Sequence, residues 1–82
     1  MVKVKVFATL KNIIGKNELE VQASTVGELL EKLYSKYPEM KKELEKGAVI
    51  LVNGKSIEYL EKLDTKLKDE DEVSIFPPVG GG

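Results

Sequence analysis

Thr25-Val26-Gly27-Glu28-Leu29-Leu30-Glu31-Lys32-Leu33-Tyr34-Ser35-Lys36-Tyr37-Pro38 is the stretch that decides the fold of this chain of 82 residues. Thr25 followed three residues later by Glu28 fits a capping box, with the threonine at the N-cap and the glutamate reaching back. Val26, Leu29, Leu30, Leu33 and Tyr37 then recur at helical spacing, while Glu28, Glu31, Lys32 and Lys36 occupy the other face. Pro38 ends the helix, because the residue before a proline avoids the α region. The result is one amphipathic helix with one stripe to bury.

Strand patterns lie on both sides of it. Upstream, Val2, Val4, Val6 and Ala8 alternate with Lys3, Lys5 and Phe7, and Leu19, Val21 and Ala23 repeat the period of two after Gly15-Lys16-Asn17, whose residue types favour a turn. Residues 2–23 therefore read as a hairpin with an irregular connection through Leu10, Ile13 and Ile14. Downstream, Met40 and Leu44 place a second short helix from Pro38 to Lys46, with Gly47 as its C′ residue. Val49 to Val52 is apolar throughout and closes on Asn53-Gly54, a strong hairpin signal, so a partner strand is expected around Lys55 to Tyr59. Leu60, Leu63 and Leu67 fall in a longer connection expected to cover one end of the core, Asp69 to Glu72 form a charged turn, and Glu72 to Phe76 is the last strand. Two strands, a helix, two strands and a final strand define an α+β sheet with one main helix on one face.

Composition excludes several function classes. No apolar run approaches the roughly 18 residues of a membrane span, and neither a signal peptide nor a transit peptide is visible, so a cytoplasmic location with no membrane contact is expected. Cysteine and histidine are both absent, which removes thiolate metal sites, a cysteine nucleophile and the usual general base. The 13 basic residues are all lysine and the net charge is −1, so nucleic acid is not an expected partner. The acidic run 69–72 lacks the spacing and central glycine of an EF-hand loop, no metal site is expected, and Gly80 to Gly82 is followed by none of the residues of a phosphate loop.

The alternation also sorts the two phenylalanines. With Val2, Val4 and Val6 toward the helix, Lys3, Lys5 and Phe7 face away; with Val73 and Ile75 toward it, Ser74 and Phe76 face away. Because Val49 to Val52 is apolar at every position, one alternate pair must join them, giving an apolar patch framed by lysines. Two readings remain: a surface for a partner, or a satellite core under the connection from Leu60 to Leu67. The patch adjoins Phe76-Pro77-Pro78-Val79-Gly80-Gly81-Gly82. Proline fixes φ and cannot donate to a ladder, so Pro77-Pro78 ends the strand and launches a short strut. A domain over residues 1–78 and a flexible glycine tail at 79–82 follow. Extended, Val79 to Gly82 reaches about 13 Å, and its glycines, without Cβ atoms, can enter a narrow channel.

The order hairpin, helix, hairpin, last strand and Gly-Gly end resembles the ubiquitin-like β-grasp sulfur carriers, and among them the MoaD family, the small subunit of molybdopterin synthase. Val4 to Ala8, Thr25-Val26-Gly27-Glu28-Leu29-Leu30, Val52-Asn53-Gly54, Leu67-Lys68-Asp69, Asp71-Glu72-Val73 and above all Phe76-Pro77-Pro78-Val79 carry the likeness. Carriers of the ThiS type for thiamine look similar but are usually shorter and lack the diproline. This chain departs from the commonest MoaD pattern at Gly80, where alanine is frequent, and at Glu70, where glycine is frequent. The resemblance implies a mixed sheet of about five strands and a subunit that is no enzyme alone. It also implies an E1-like (MoeB-like) enzyme that uses ATP to adenylate the Gly82 carboxylate, conversion to a thiocarboxylate, and entry of Gly81 and Gly82 into a MoaE-like large subunit. Phe7, Phe76, Pro77, Pro78, Val79 and Gly80 are its implied partner contacts; no bound cofactor is implied. The alternatives are a modifier joined through Gly82 to lysines, a ThiS-like sulfur carrier for thiamine biosynthesis, and a ubiquitin-like binding module whose tail is inert.

Overall fold

The structure, a computed structural model, describes residues 1–78. The expected tail positions Val79, Gly80, Gly81 and Gly82 lie outside the described residues. Val2–Val6 (β1) and Glu18–Val21 (β2) form the antiparallel pair that the alternation predicts, with Val2 opposite Val21 and Lys5 opposite Glu18. Their connection is not irregular. Thr9–Ile14 is a six-residue helix (α1) that buries Leu10 and Ile14, four residues apart and so on one side, and closes on Gly15 at φ 86°, whose N–H donates to the Lys11 carbonyl at 2.7 Å.

Val26–Lys36 (α2) buries Val26, Leu29, Leu30 and Leu33, the stripe read from its spacing. The Thr25 side chain accepts from the Glu28 N–H at 3.1 Å, as a capping box requires. The returning arm reaches one residue further than expected: Glu28 Oε1 accepts from the N–H of Ser24 at 2.6 Å and from its hydroxyl at 3.0 Å. Pro38–Glu45 (α3) buries Met40 and Leu44, and Gly47 follows at φ 121°.

Val49–Val52 (β3) turns through Asn53 and Gly54, both at positive φ as a type I′ turn demands, into a strand of only two residues, Lys55–Ser56 (β4). The expected strand to Tyr59 instead becomes a 3₁₀ turn over Ile57–Tyr59, capped by the Ser56 side chain on the Glu58 N–H, because this bend lets Ile57 enter the core. Glu72–Phe76 (β5) lies between β1 and β3, parallel to the first and antiparallel to the second. The sheet order is β2-β1-β5-β3-β4, a mixed five-stranded sheet with three helices against it.

The connection from Leu60 to Leu67 sits at the end of the core, against the start of α2. Val26 N–H donates to the Thr65 carbonyl at 3.0 Å and Leu67 N–H to the Ser24 carbonyl at 2.9 Å. At Gly27 a Cβ would lie 3.2 Å from the Leu63 carbonyl oxygen, so the missing side chain permits this approach. Leu67 is buried while Leu63 is 54% exposed. The outer face of the sheet is therefore not covered by this connection.

Leu29 is fully buried at the centre of the helix stripe. Leu29→Ala should cost about 2–5 kcal/mol, a large share of the stability of a small domain. Denaturant melts of the two forms measure it; a loss below about 1 kcal/mol would contradict the packing described.

Candidate functional site

Cross-strand register arranges the outer face of the sheet in three rows. The first is Glu20, Lys3 and Glu72; the second is Glu18, Lys5, Ser74, Leu51 and Ser56. The third pairs Phe76 with Val49, and Phe7, one residue past β1, stacks on Phe76 with ring centroids 4.2 Å apart and planes 9° from parallel. Polarity thus falls along the strands, from charged at the start of β1 to apolar at its end. Of the apolar run in β3, Ile50 and Val52 are buried against the helices, while Val49 is 50% exposed and Leu51 half-buried on the outer side.

The diproline leaves from the apolar row. Its two residues have separate positions: Pro77 continues the inward alternation of Val73 and Ile75 and is buried, whereas Pro78 is half-buried. Pro78 Cβ would lie 3.9 Å from a Cβ at Gly47, so the strut rests against the junction of α3 and β3. Gly47, Ala48, Val49, Phe76, Pro77 and Pro78 line a shallow apolar groove there. Of the expected partner contacts, the structure brings Phe7, Phe76 and Pro78 together at one corner and puts Pro77 beneath them as a support. Val49 was expected here only as one member of an alternate pair from the run 49–52 and Gly47 only as a helix C′ residue; Ala48 was not singled out, and the small pair next to a helix C-terminus was the available signal.

At the charged end Lys5 Nζ meets Glu72 Oε2 at 2.8 Å and Lys3 Nζ meets Glu18 Oε2 at 3.8 Å. The hydrogen bond from Lys5, and then its charge, holds the Glu72 carboxyl below its ordinary 4.5, and the same bond raises Lys5 above 10.5. Glu28 is lowered by the Ser24 N–H, and Asp71 by the Lys68 N–H and then by Asn53. None of these groups has the burial or the neighbours of a catalytic acid or base. Among the described residues no cluster of carboxylates is arranged to hold a metal ion, and no helix is long and apolar enough to cross a membrane.

A five-stranded grasp around α2, with an apolar corner where the last strand gives way to a diproline, defines a ubiquitin-like β-grasp domain. The chain belongs to the ThiS family, whose model matches residues 4–82. It is 36% identical over 85 residues to the molybdopterin synthase sulfur carrier subunit of Dictyostelium discoideum, covering 98% of this chain and 94% of that protein. The solution structure of small archaeal modifier protein 1 from Methanosarcina acetivorans superposes with a TM-score of 0.89 at 42% identity, covering 99% of this chain and 95% of that one. A complex of subunits 1 and 2 of molybdopterin-converting factor from Helicobacter pylori contains a chain similar at a TM-score of 0.69 and 28% identity, with 99% and 97% covered.

The electrostatics of the charged rows yield a pH prediction. A carboxyl depressed in the folded chain contributes stability above its unfolded value and loses it as pH falls through the folded value. Glu72, Glu28 and Asp71 all act in this direction, so the thermal midpoint should fall on acidification below their ordinary values of 4.5 and 3.8. Lys5 acts oppositely: its share is present below 10.5 and lost above. Lys5→Met should flatten the acid fall slightly, since exposed pairs are weak. An acid profile as flat in the wild type as at neutral pH would remove the assigned role of these bonds.

Proposed function

We propose that this chain is a sulfur carrier of the molybdopterin synthase type, holding sulfur as a thiocarboxylate on Gly82. The observation that carries the reading is the coincidence at one corner of a half-exposed aromatic stack, Phe7 on Phe76, with the diproline that precedes the glycines in the sequence. Membership of the ThiS family and similarity to a sulfur carrier subunit support it. A free carboxylate is a poor electrophile. An adenylating enzyme of the E1 class therefore joins the Gly82 carboxylate to the α-phosphate of ATP, releasing pyrophosphate, and a sulfur nucleophile then displaces AMP at the carbonyl carbon. The thiocarboxylate is carried into the large subunit of the synthase, which performs the transfer to the pterin precursor. On this reading the chain is the sulfur-carrying subunit and not an enzyme alone.

Its residues divide the work. Phe7, Phe76 and Val49 supply an apolar anchor that a partner would desolvate, the kind of contact that dominates association, with Lys5 in the neighbouring row. Pro77 and Pro78 lower the entropy of holding the last residues extended. Gly81 and Gly82 allow backbone to pass where a side chain would clash. A second reading, a modifier joined through Gly82 to lysines, is favoured by the 42% identity to an archaeal modifier protein. Intact mass spectrometry of chain isolated from its native cell separates the two: sulfur in place of a terminal oxygen supports the carrier, and branched lysine remnants support the modifier.

Phe7→Ala should leave the fold intact, since Phe7 is only half-buried, yet weaken association with the large subunit or the activating enzyme by more than about 1 kcal/mol. Calorimetric titration giving unchanged affinity for both partners would make the aromatic corner structural only. Deleting Gly82 should preserve folding but place the carboxylate about 3.5 Å short of the activating site, so that ATP-dependent adenylate formation is lost. Gly81→Val keeps the length and should fail by steric conflict. A Gly82 deletion with full activity in adenylation and sulfur transfer rules out both readings.

A further inference from the structure

Asn53 and Gly54 occupy the tip of the β3–β4 turn at φ 50° and 86°. This dipeptide carries chemistry of its own, because glycine has no side chain to keep its amide nitrogen from the Cγ of the asparagine before it. Nothing lies within 4 Å of where a Gly54 Cβ would stand, so crowding does not protect the turn. Hydrogen bonding does. Asn53 Oδ1 accepts from the Glu72 N–H at 2.9 Å, and Asn53 Nδ2 donates to Asp71 Oδ1 at 3.1 Å. Asp71 is itself fixed: its other oxygen accepts from the Lys68 N–H at 2.8 Å and its carbonyl from the Lys3 N–H at 2.9 Å. The Asn53 N–H donates to the Glu72 carbonyl at 2.7 Å, so backbone and side chain of one residue are tied to the start of β5.

We propose that Asn53 is a deamidation site that the fold keeps latent, with Asp71 and the Glu72 backbone as its guard. In the reaction the Gly54 nitrogen gives up its proton and bonds to Asn53 Cγ. The Cγ–Nδ2 bond breaks and Nδ2 leaves as ammonia with that proton. Water then opens the succinimide: cleavage of the new N–Cγ bond leaves aspartate, and cleavage at the Asn53 carbonyl carbon leaves a backbone routed through Cγ. No redox partner is needed. Rotation of Cγ toward the Gly54 nitrogen requires both side-chain hydrogen bonds to open, so reaction proceeds only through a locally opened turn. The product removes the donor to Asp71 and puts two carboxylates in contact, with Glu72 close by. The change releases the β3–β4 turn from β5, the strand that leads into the diproline.

The test incubates the full chain in mildly alkaline buffer below its melting temperature and follows each asparagine by peptide mass. Asn12 and Asn17, which precede Ile13 and Glu18, are internal comparators. In guanidinium chloride Asn53 should be the first of the three to react. In the native chain it should react slower by about tenfold or more, the effect of two hydrogen bonds that must open together. Asp71→Ala, checked for folding by circular dichroism, should recover a large part of that rate at Asn53 alone. Asn53→Asp should melt below the wild type. Equal rates in native and denatured chain overturn the proposal without reference to any variant. So does a folded Asp71→Ala variant that reacts at the wild-type rate.

Discussion

Parallel pairing of β1 with β5 is the constraint on which the rest of the structure depends. Val4 lies beside Val73 and Val6 beside Ile75, so the first and last strands run the same way through the middle of the sheet. Parallel strands need a long crossover, and here nearly the whole chain supplies it. Their valines and isoleucine meet α2 on one side, which is why these positions are fully buried. One residue further on, the same register sets Phe7 against Phe76. Antiparallel pairing would have sent these rings to opposite ends, and the apolar corner beside the diproline would not exist.

That corner was legible because period-two alternation assigns faces without knowledge of partners. Parity alone put Phe7 and Phe76 on one face, and the run Val49 to Val52 had to contribute one alternate pair, which proved to be Val49 and Leu51. The helix stripe and the Asn53-Gly54 turn were equally clear, since spacing and turn chemistry are local. Three features were not. In α1, six residues give too few turns for a periodic signal, and its N-cap is Ala8 rather than a side chain that accepts a hydrogen bond. The fourth strand is cut to two residues by the demand of Ile57 for the core, a tertiary effect that β-branched propensity argues against. The 60–67 connection was expected at one end of the core, but its close approach to α2 depends on Gly27, whose small size reads as a neutral helix residue until Leu63 is seen against it.

Backbone strain sits where the sequence departs from what the turns prefer. Ala8 has φ 54° and ψ −131°, Glu70 φ 73° and Lys62 φ 51°, conformations that L residues adopt at a cost on the order of 1 kcal/mol each. Glu70 is the position where the resembled carriers often have glycine, and its left-handed backbone gives the physical reason. The turn is retained because the Glu70 N–H donates to the Met1 carbonyl at 3.1 Å and the Asp71 side chain holds Lys68. Ala8 follows Phe7 directly, and the Phe7 carbonyl accepts from the Leu10 N–H at 3.2 Å. This turn ends β1 abruptly and keeps Phe7 at the strand's last outward position instead of letting it run on.

The alternation that distributes faces also separates stability from binding in this fold. Val73, Ile75 and Pro77 point inward in succession, so the last strand is fastened to the core up to and including the first proline. Phe76 and Pro78 point the other way, and Pro78 rests against the Gly47 corner. The binding row can be altered at Phe7 or Val49 with modest loss of stability, because the outer face carries little of the buried area. The inward row has no such freedom, since each of its side chains fills space between the sheet and α2.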